Sequence, residues 1–184
     1  RELSQIQNFK SPKYHEKIKL IGDYQEVGLL FSKDSIYSQE LMKLEKNRLE
    51  AVTHRPVESA LFVDASLKLP EAYRGLLQLE ISKDYSMGYD EVIGFRAGTC
   101  TDFLFYDLEY EVKTPLLIKP VAIRTNALRT YDNQTAERKV EVVLEQIKRM
   151  GGSMNFLFSN QDFSLSEDND SLFWKDLFKK HLDF

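Results

Sequence analysis

The sequence predicts an α/β domain with parallel strands, and three observations carry that prediction. Short apolar runs alternate along the chain with segments whose apolar residues recur at helical spacing, the pattern of strands joined by crossover helices. The runs are brief and evenly spaced, which suits a (β/α) barrel or part of one, with a doubly wound sheet as the alternative. No internal repeat, low-complexity tract or Pro/Gly-rich linker divides the 184 residues, so residues 1–184 read as one domain.

Taken in order, Ser11-Pro12 ahead of Ile18, Leu20 and Ile21 predicts an N-cap, a first-turn proline and an amphipathic helix ending near Gly22. Val27 to Ser32 is a continuous apolar run, expected as a strand covered on both faces. Ser35 to Thr53 carries Leu41, Leu44, Leu49 and Val52 at helical spacing, and Pro56 ends that helix. Ala60 to Asp64 predicts a second strand. Pro70 opens a helix through Leu79, with Tyr73, Leu76 and Leu77 as its buried face. Ile81 to Tyr85 and Val92 to Phe95 are weaker strand signals, and Pro115 to Ile123 reads as a strand with a bulge or early end at Lys119-Pro120. Asn133 to Met150 is the strongest helix, with Ala136, Val140, Val143, Leu144 and Ile147 on one side and Gly151-Gly152 as its stop. Met154 to Ser159 predicts a last strand, and Leu172 to Leu182 a last helix with Phe173, Trp174, Leu177 and Phe178.

A chain of this length buries roughly 70% of its unfolded surface. Its 25 Lys and Arg against 29 Asp and Glu leave a net charge of −4, with no basic block, which argues against nucleic acid. No apolar run approaches the ~18 residues of a membrane span. Arg1 opens a polar segment rather than a signal peptide, and because the sequence begins without a methionine it is expected to be the C-terminal part of a longer chain. A single cysteine, Cys100, makes no internal disulfide and fits a reducing compartment, which favours the cytoplasm over a bacterial envelope. With no base beside it, Cys100 reads as a buried filler.

The chemistry-bearing stretch is Gly94-Phe95-Arg96-Ala97-Gly98-Thr99-Cys100, with Asp84-Tyr85-Ser86-Met87-Gly88-Tyr89 before it and Phe105-Tyr106-Asp107-Leu108 after it. Glycines around a lone arginine at the end of a short apolar run are written like a strand-to-loop site rim. Together these blocks resemble the centre of the bacterial polysaccharide-deacetylase-like family, the NodB-homology group of carbohydrate esterases. Asp23-Tyr24-Gln25-Glu26-Val27-Gly28 resembles its second-motif strand, Leu69-Pro70-Glu71-Ala72-Tyr73-Arg74 a following helix start, and Gly151-Gly152 the approach to its last motif.

The resemblance implies a distorted seven-stranded (β/α) barrel, of which five to six strands are present, and a zinc site built from an aspartate and two histidines. Such a metal lowers the pKa of bound water so that it attacks an acetyl group on a sugar. Here the matching histidine positions are Leu30, Val63 and Ser159, within Leu30-Phe31-Ser32, Leu61-Phe62-Val63 and Phe158-Ser159-Asn160. The family's first motif, with paired aspartates, has no match. Three histidines remain, His15, His54 and His181, with no metal-ligand spacing between them.

The resemblance makes Arg96 the arginine that braces a catalytic aspartate, with a structural ion pair as the bland reading. Asp64 at a strand end is a candidate base or a cap. Asp107 and Tyr106 orient substrate or cap a helix start, and Tyr89 and Phe95 join Tyr106 as candidate substrate-binding residues. Phe31, Phe62 and Phe158 are expected to fill the former metal pocket. The preferred expectation is a domain that has lost deacetylation, needs no cofactor, and binds a glycan or protein. One alternative is an active zinc-dependent deacetylase with ligands from a missing N-terminal segment and from Asp64 and Asp107. Another is a subunit of a bacterial envelope or secretion assembly. In each case the N-terminal remainder or another subunit is expected to complete the sheet.

Overall fold

In the computed structural model, which describes residues 11–63, 67–163 and 169–181, the chain forms two compact units, Arg1–Asp84 with Phe105–Leu116 and Tyr85–Leu104 with Leu117–Phe184.

In the first unit, α1 (Pro12–Tyr24) leads to β1 (Leu29–Phe31), α2 (Gln39–Thr53), β2 (Ser59–Phe62), α3 (Glu71–Gln78) and β3 (Lys83–Asp84). The strands β1, β2 and β3 run parallel, with Leu29 opposite Ala60, Phe31 opposite Phe62 and Ala60 opposite Asp84. A hairpin, β4 (Phe103–Asp107) and β5 (Val112–Ile118), extends the sheet to the order β1-β2-β3-β5-β4. Four residues between β4 and β5 make that pair antiparallel. The architecture is thus mixed α/β with a mostly parallel sheet. Among the described residues the sheet is open, with β1 and β4 as edges, and no closed barrel forms.

Two expectations are corrected here. The strand at Leu29–Phe31 is not covered on both faces: as an edge strand it buries Phe31 and leaves Leu30 57% exposed. The helix after it starts at Gln39 rather than Ser35. Lys33–Tyr37 is a 3₁₀ turn in which Ser35 Oγ and the Ser32 N–H both donate to Glu45 Oε2, at 2.5 and 3.2 Å. Ser38 then caps α2 by accepting from the Leu41 N–H at 3.2 Å. That helix buries Met42 and Val52, leaves Leu44 exposed, and meets α3 at Gly75 through Gln39 and Met42. Gln39 Nε2 donates to the Gly75 carbonyl at 3.0 Å, and a Cβ on Gly75 would sit 2.7 Å from Gln39 Oε1. On α3, Ala72, Tyr73, Gly75 and Leu76 are buried.

In the second unit, β6 (Ile123–Arg124) pairs in parallel with β7 (Phe156–Leu157), and α4 (Thr125–Leu128), α5 (Asn133–Met150) and α6 (Asn169–Lys180) complete it. The helix α5 has the predicted bounds and the predicted buried face of Ala136, Val140, Val143, Leu144 and Ile147. Asp132 caps it by accepting from the Thr135 N–H at 2.9 Å, and Gly151 ends it in the left-handed region at φ 66°. That face meets Trp174 and Leu177 of α6 in one core with Ile123, Leu128 and Cys100.

Val92–Phe95 is not a strand. Gly94, at φ 137°, turns the chain there, and its N–H bonds the Ala122 carbonyl at 2.9 Å without a ladder forming. The run Pro115–Ile123 splits at Lys119-Pro120, where proline cannot donate and Lys119 turns to Asp102 at 2.6 Å.

Gly152 is a second close approach. A Cβ there would lie 2.7 Å from the Cys100 carbonyl oxygen and would meet its sulfur as well. Gly152→Ala is expected to destabilise the protein by about 1–3 kcal/mol in urea unfolding. Adding Cys100→Ala should restore only part of that, since the carbonyl remains.

Candidate functional site

Side chains alternate along paired strands, so Leu30 and Leu61 share one face of the β1–β2 pair and Phe31 and Phe62 the other. The Val63 N–H continues the ladder by donating to the Phe31 carbonyl at 3.2 Å, which returns Val63 to the face of Leu30. Both residues are exposed, Leu30 at 57% and Val63 at 48%. They stand at the carboxyl ends of adjacent parallel strands, where α/β sheets present their functional groups.

The expectation that Phe31 and Phe62 fill this face is overturned. Their rings stack at 5.1 Å on the opposite, buried side, fully excluded from solvent. Alternation fixes this: the residues flanking an outward Leu30 and Val63 must point inward. Phe158 belongs to the second unit, where it stacks on Phe156 at 4.2 Å and meets Phe163 and Phe178 edge-on or tilted.

Asp107 ends β4 and is 2% exposed. Arg74 of α3 grips it side-on, Nε to Oδ2 at 2.6 Å and Nη2 to Oδ1 at 2.8 Å, and Nη2 also reaches Glu109 at 2.7 Å. The Glu109 and Tyr110 N–H groups donate to Asp107 Oδ1 at 3.1 and 3.3 Å, and Arg74 lies over the Tyr110 ring at 4.2 Å. Asp107 therefore caps the hairpin turn, not a helix start. Hydrogen bonds from Arg74, then from the two N–H groups, hold its carboxyl down at about 2 against the opposing effect of burial. The same partner raises the Arg74 guanidinium. A carboxylate so fully bonded makes a weak base. Tyr106, on the alternate face of β4, is 48% exposed, and Leu104, Leu108 and Tyr110 are exposed near it.

In the second unit Tyr89 is exposed, and Phe95 and Arg96 are part-buried on the glycine-rich loop. Asp90, beside Tyr89, pairs with buried Arg124 at 2.8 Å. Ser159 opens a 3₁₀ turn (Asn160–Phe163), its N–H donating to Asp162 Oδ2 at 2.6 Å. Asp162 is 1% exposed, and Arg129 pairs with it at 2.5 Å while lying over Trp174 at 4.9 Å. Asp64 lies outside the described residues.

Of the histidines, His54 takes the left-handed C-cap position of α2, and burial lowers the pKa of His181. Among the described residues no three His, Cys, Asp or Glu side chains are grouped to hold a metal ion. No helix among them is long and apolar enough to cross a membrane. A cleft of about 300 Å³ in the first unit, lined by Gly22, Glu26, Arg55, Glu58 and Lys83 among others, lies at the amino ends of the strands. Within it Lys83 pairs with Glu26 at 2.9 Å, and Arg55 pairs with Asp23 at 2.8 Å.

Sequence reasoning missed Arg74, Asp90, Arg124, Arg129 and Asp162. Each ion pair joins residues 33 or 34 positions apart, so no local pattern marks it. Compared with protein-family models and with curated proteins, the sequence matches none.

Proposed function

We propose that the chain is a polysaccharide-deacetylase-like domain without that family's metal centre, acting as a carbohydrate- or protein-binding module. The observation that carries this reading is the placement of Leu30 and Val63. Two positions 33 residues apart, singled out only as matches to metal-binding histidines, share one strand-end face as two ligands of one ion would. Both are exposed aliphatic side chains, which offer a metal nothing and a binding partner an apolar surface. Exposed Tyr106 fits the same role, because an aromatic face stacks on a sugar or packs in an interface, whereas Tyr110 already carries Arg74 over its ring.

The barrel belongs to this reading as well. Successive strands β1, β2 and β3 pair in parallel, as neighbours in a (β/α) barrel do, and the reading assigns closure to a further segment or subunit pairing with an edge. The test is metal content. After dialysis against trace zinc, elemental mass spectrometry is expected to find less than about a tenth of an equivalent per chain. Near one equivalent would overturn the reading and make Asp64 and Asp107 the first residues to replace. Under the same reading, acetylated oligosaccharides are to be bound without acetate release.

A further inference from the structure

One edge of the buried Arg124 guanidinium is unused. Arg124 closes β6, is 7% exposed, and gives Nη1 to Asp90 at 2.8 Å. Its Nε and Nη2 are buried, and neither meets a hydrogen-bond partner among the described residues. These two N–H groups lie side by side and parallel, spaced to meet the two oxygens of a carboxylate. Buried charged donors left without acceptors are strongly disfavoured, so the edge calls for an acceptor from outside.

Its place in the fold fits a site. Arg124 stands at the carboxyl end of a strand in the parallel pair β6–β7, where open α/β sheets gather ligands. The loop bearing Asp90 is fastened along the residues leading to Arg124: Val121 N–H to the Met87 carbonyl and Gly94 N–H to the Ala122 carbonyl, both at 2.9 Å. Tyr89 is 41% exposed and the Asp90 side chain 34%, so solvent reaches the Nη1 side of the pair while the Nε/Nη2 edge lies just beneath the surface.

We propose that the Nε/Nη2 edge of Arg124 binds a carboxylate, with Asp90 holding the guanidinium from its other arm. Each ligand oxygen accepts one charge-assisted hydrogen bond. The ligand stands closer to the guanidinium than to the Asp90 carboxylate, so attraction outweighs repulsion. A phosphate dianion would meet more repulsion from Asp90, and a neutral hydroxyl pair would gain weaker bonds. The carboxylate belongs either to a small free acid or to an acidic sugar such as a uronate. The second source would extend the glycan-binding role, but the site itself lies within the second unit and stands without the reading of Leu30 and Val63.

The test titrates the whole chain with sodium acetate and sodium glucuronate, using glucose and sodium chloride at matched ionic strength as blanks. Saturable heat or chemical-shift changes are expected for the acids at about millimolar concentration. Arg124→Gln should weaken binding at least about tenfold, and Arg124→Lys, which keeps the charge but not the paired donors, should fall between. Asp90→Asn should tighten it about threefold or more by removing the competing carboxylate. A merely structural pair would lower the melting temperature in these variants and leave the titrations flat. Equal responses to both acids identify a free acid, and a response to glucuronate alone or more tightly identifies the sugar. If Arg124→Gln does not fold, Asp90→Asn decides: tighter binding supports the site, unchanged or weaker binding overturns it. Absence of saturation in the unaltered protein also overturns it.

Discussion

Arg74→Gln is expected to lower the melting temperature by more than about 5 °C at neutral pH. The substitution leaves the nearly inaccessible Asp107 carboxylate without the two-bond grip that closes the hairpin against α3. The pH dependence gives a second readout. Asp107 titrates at about 2 in the fold against an ordinary 3.8, so its contribution is fully present above the ordinary value and lost as pH falls from about 4 to about 2. In Arg74→Gln the folded value moves back toward the ordinary one, and the stability lost over that window shrinks. Thermal melts of both proteins between pH 2 and 7 measure this. Glu109→Gln serves as the control, because Glu109 is the exposed end of the cluster and its loss should shift the melt by about 2 °C at most. Parallel melting curves for Arg74→Gln and the unaltered chain would mean that the pair does not hold the hairpin.

Two imidazoles placed at Leu30 and Val63 should bind zinc together. The double variant Leu30→His, Val63→His is expected to take zinc or cobalt(II) at least about tenfold tighter than the unaltered chain, with each single variant giving well under half the gain in free energy. The cooperativity follows from geometry: one face, adjacent parallel strands, side chains open to solvent. Because neither residue lies in the core, the two changes together should cost little stability, about 0.5 kcal/mol each at most. Isothermal titration, with cobalt absorption as a spectroscopic check, decides the matter. Additive and weak binding by the two singles would show that the positions do not share an ion, and the family reading would lose its main support.

What could be read ahead of the structure follows from how local the signals were. The bounds of α5 came out as predicted because its cap, its apolar stripe and its terminal glycine lie within twenty residues. The hairpin did not. Its turn, Leu108–Glu111, contains no glycine, and Glu111 takes φ 51° instead, so Phe105-Tyr106-Asp107 passed for a loop rim. Val92-Ile93 passed for a strand because two β-branched residues say nothing of whether a partner strand exists. Within the candidate site, the resemblance singled out Leu30 and Val63 as positions, while their common face and the inward turn of Phe31 and Phe62 both follow from the two-residue period of a strand. The reading of Pro115–Ile123 as one strand stopped a single residue short of Arg124, whose role depends on Asp90 and on a buried edge that sequence does not display.

The order of strands in the sheet also has a history in time. In the sequence β1-β2-β3-β5-β4, the strand that covers β3 is the last of the five to be synthesised. From Asp84, where β3 ends, the ribosome must add the 34 residues to Ile118 before β5 is whole, about 2–7 s of translation. During that interval three parallel strands are present with the far edge of β3 bare, and residues 85–102 must be made before the hairpin begins. A nascent chain stalled after β3 should therefore be a better client for chaperones, and a better substrate for proteases, than one stalled after β5.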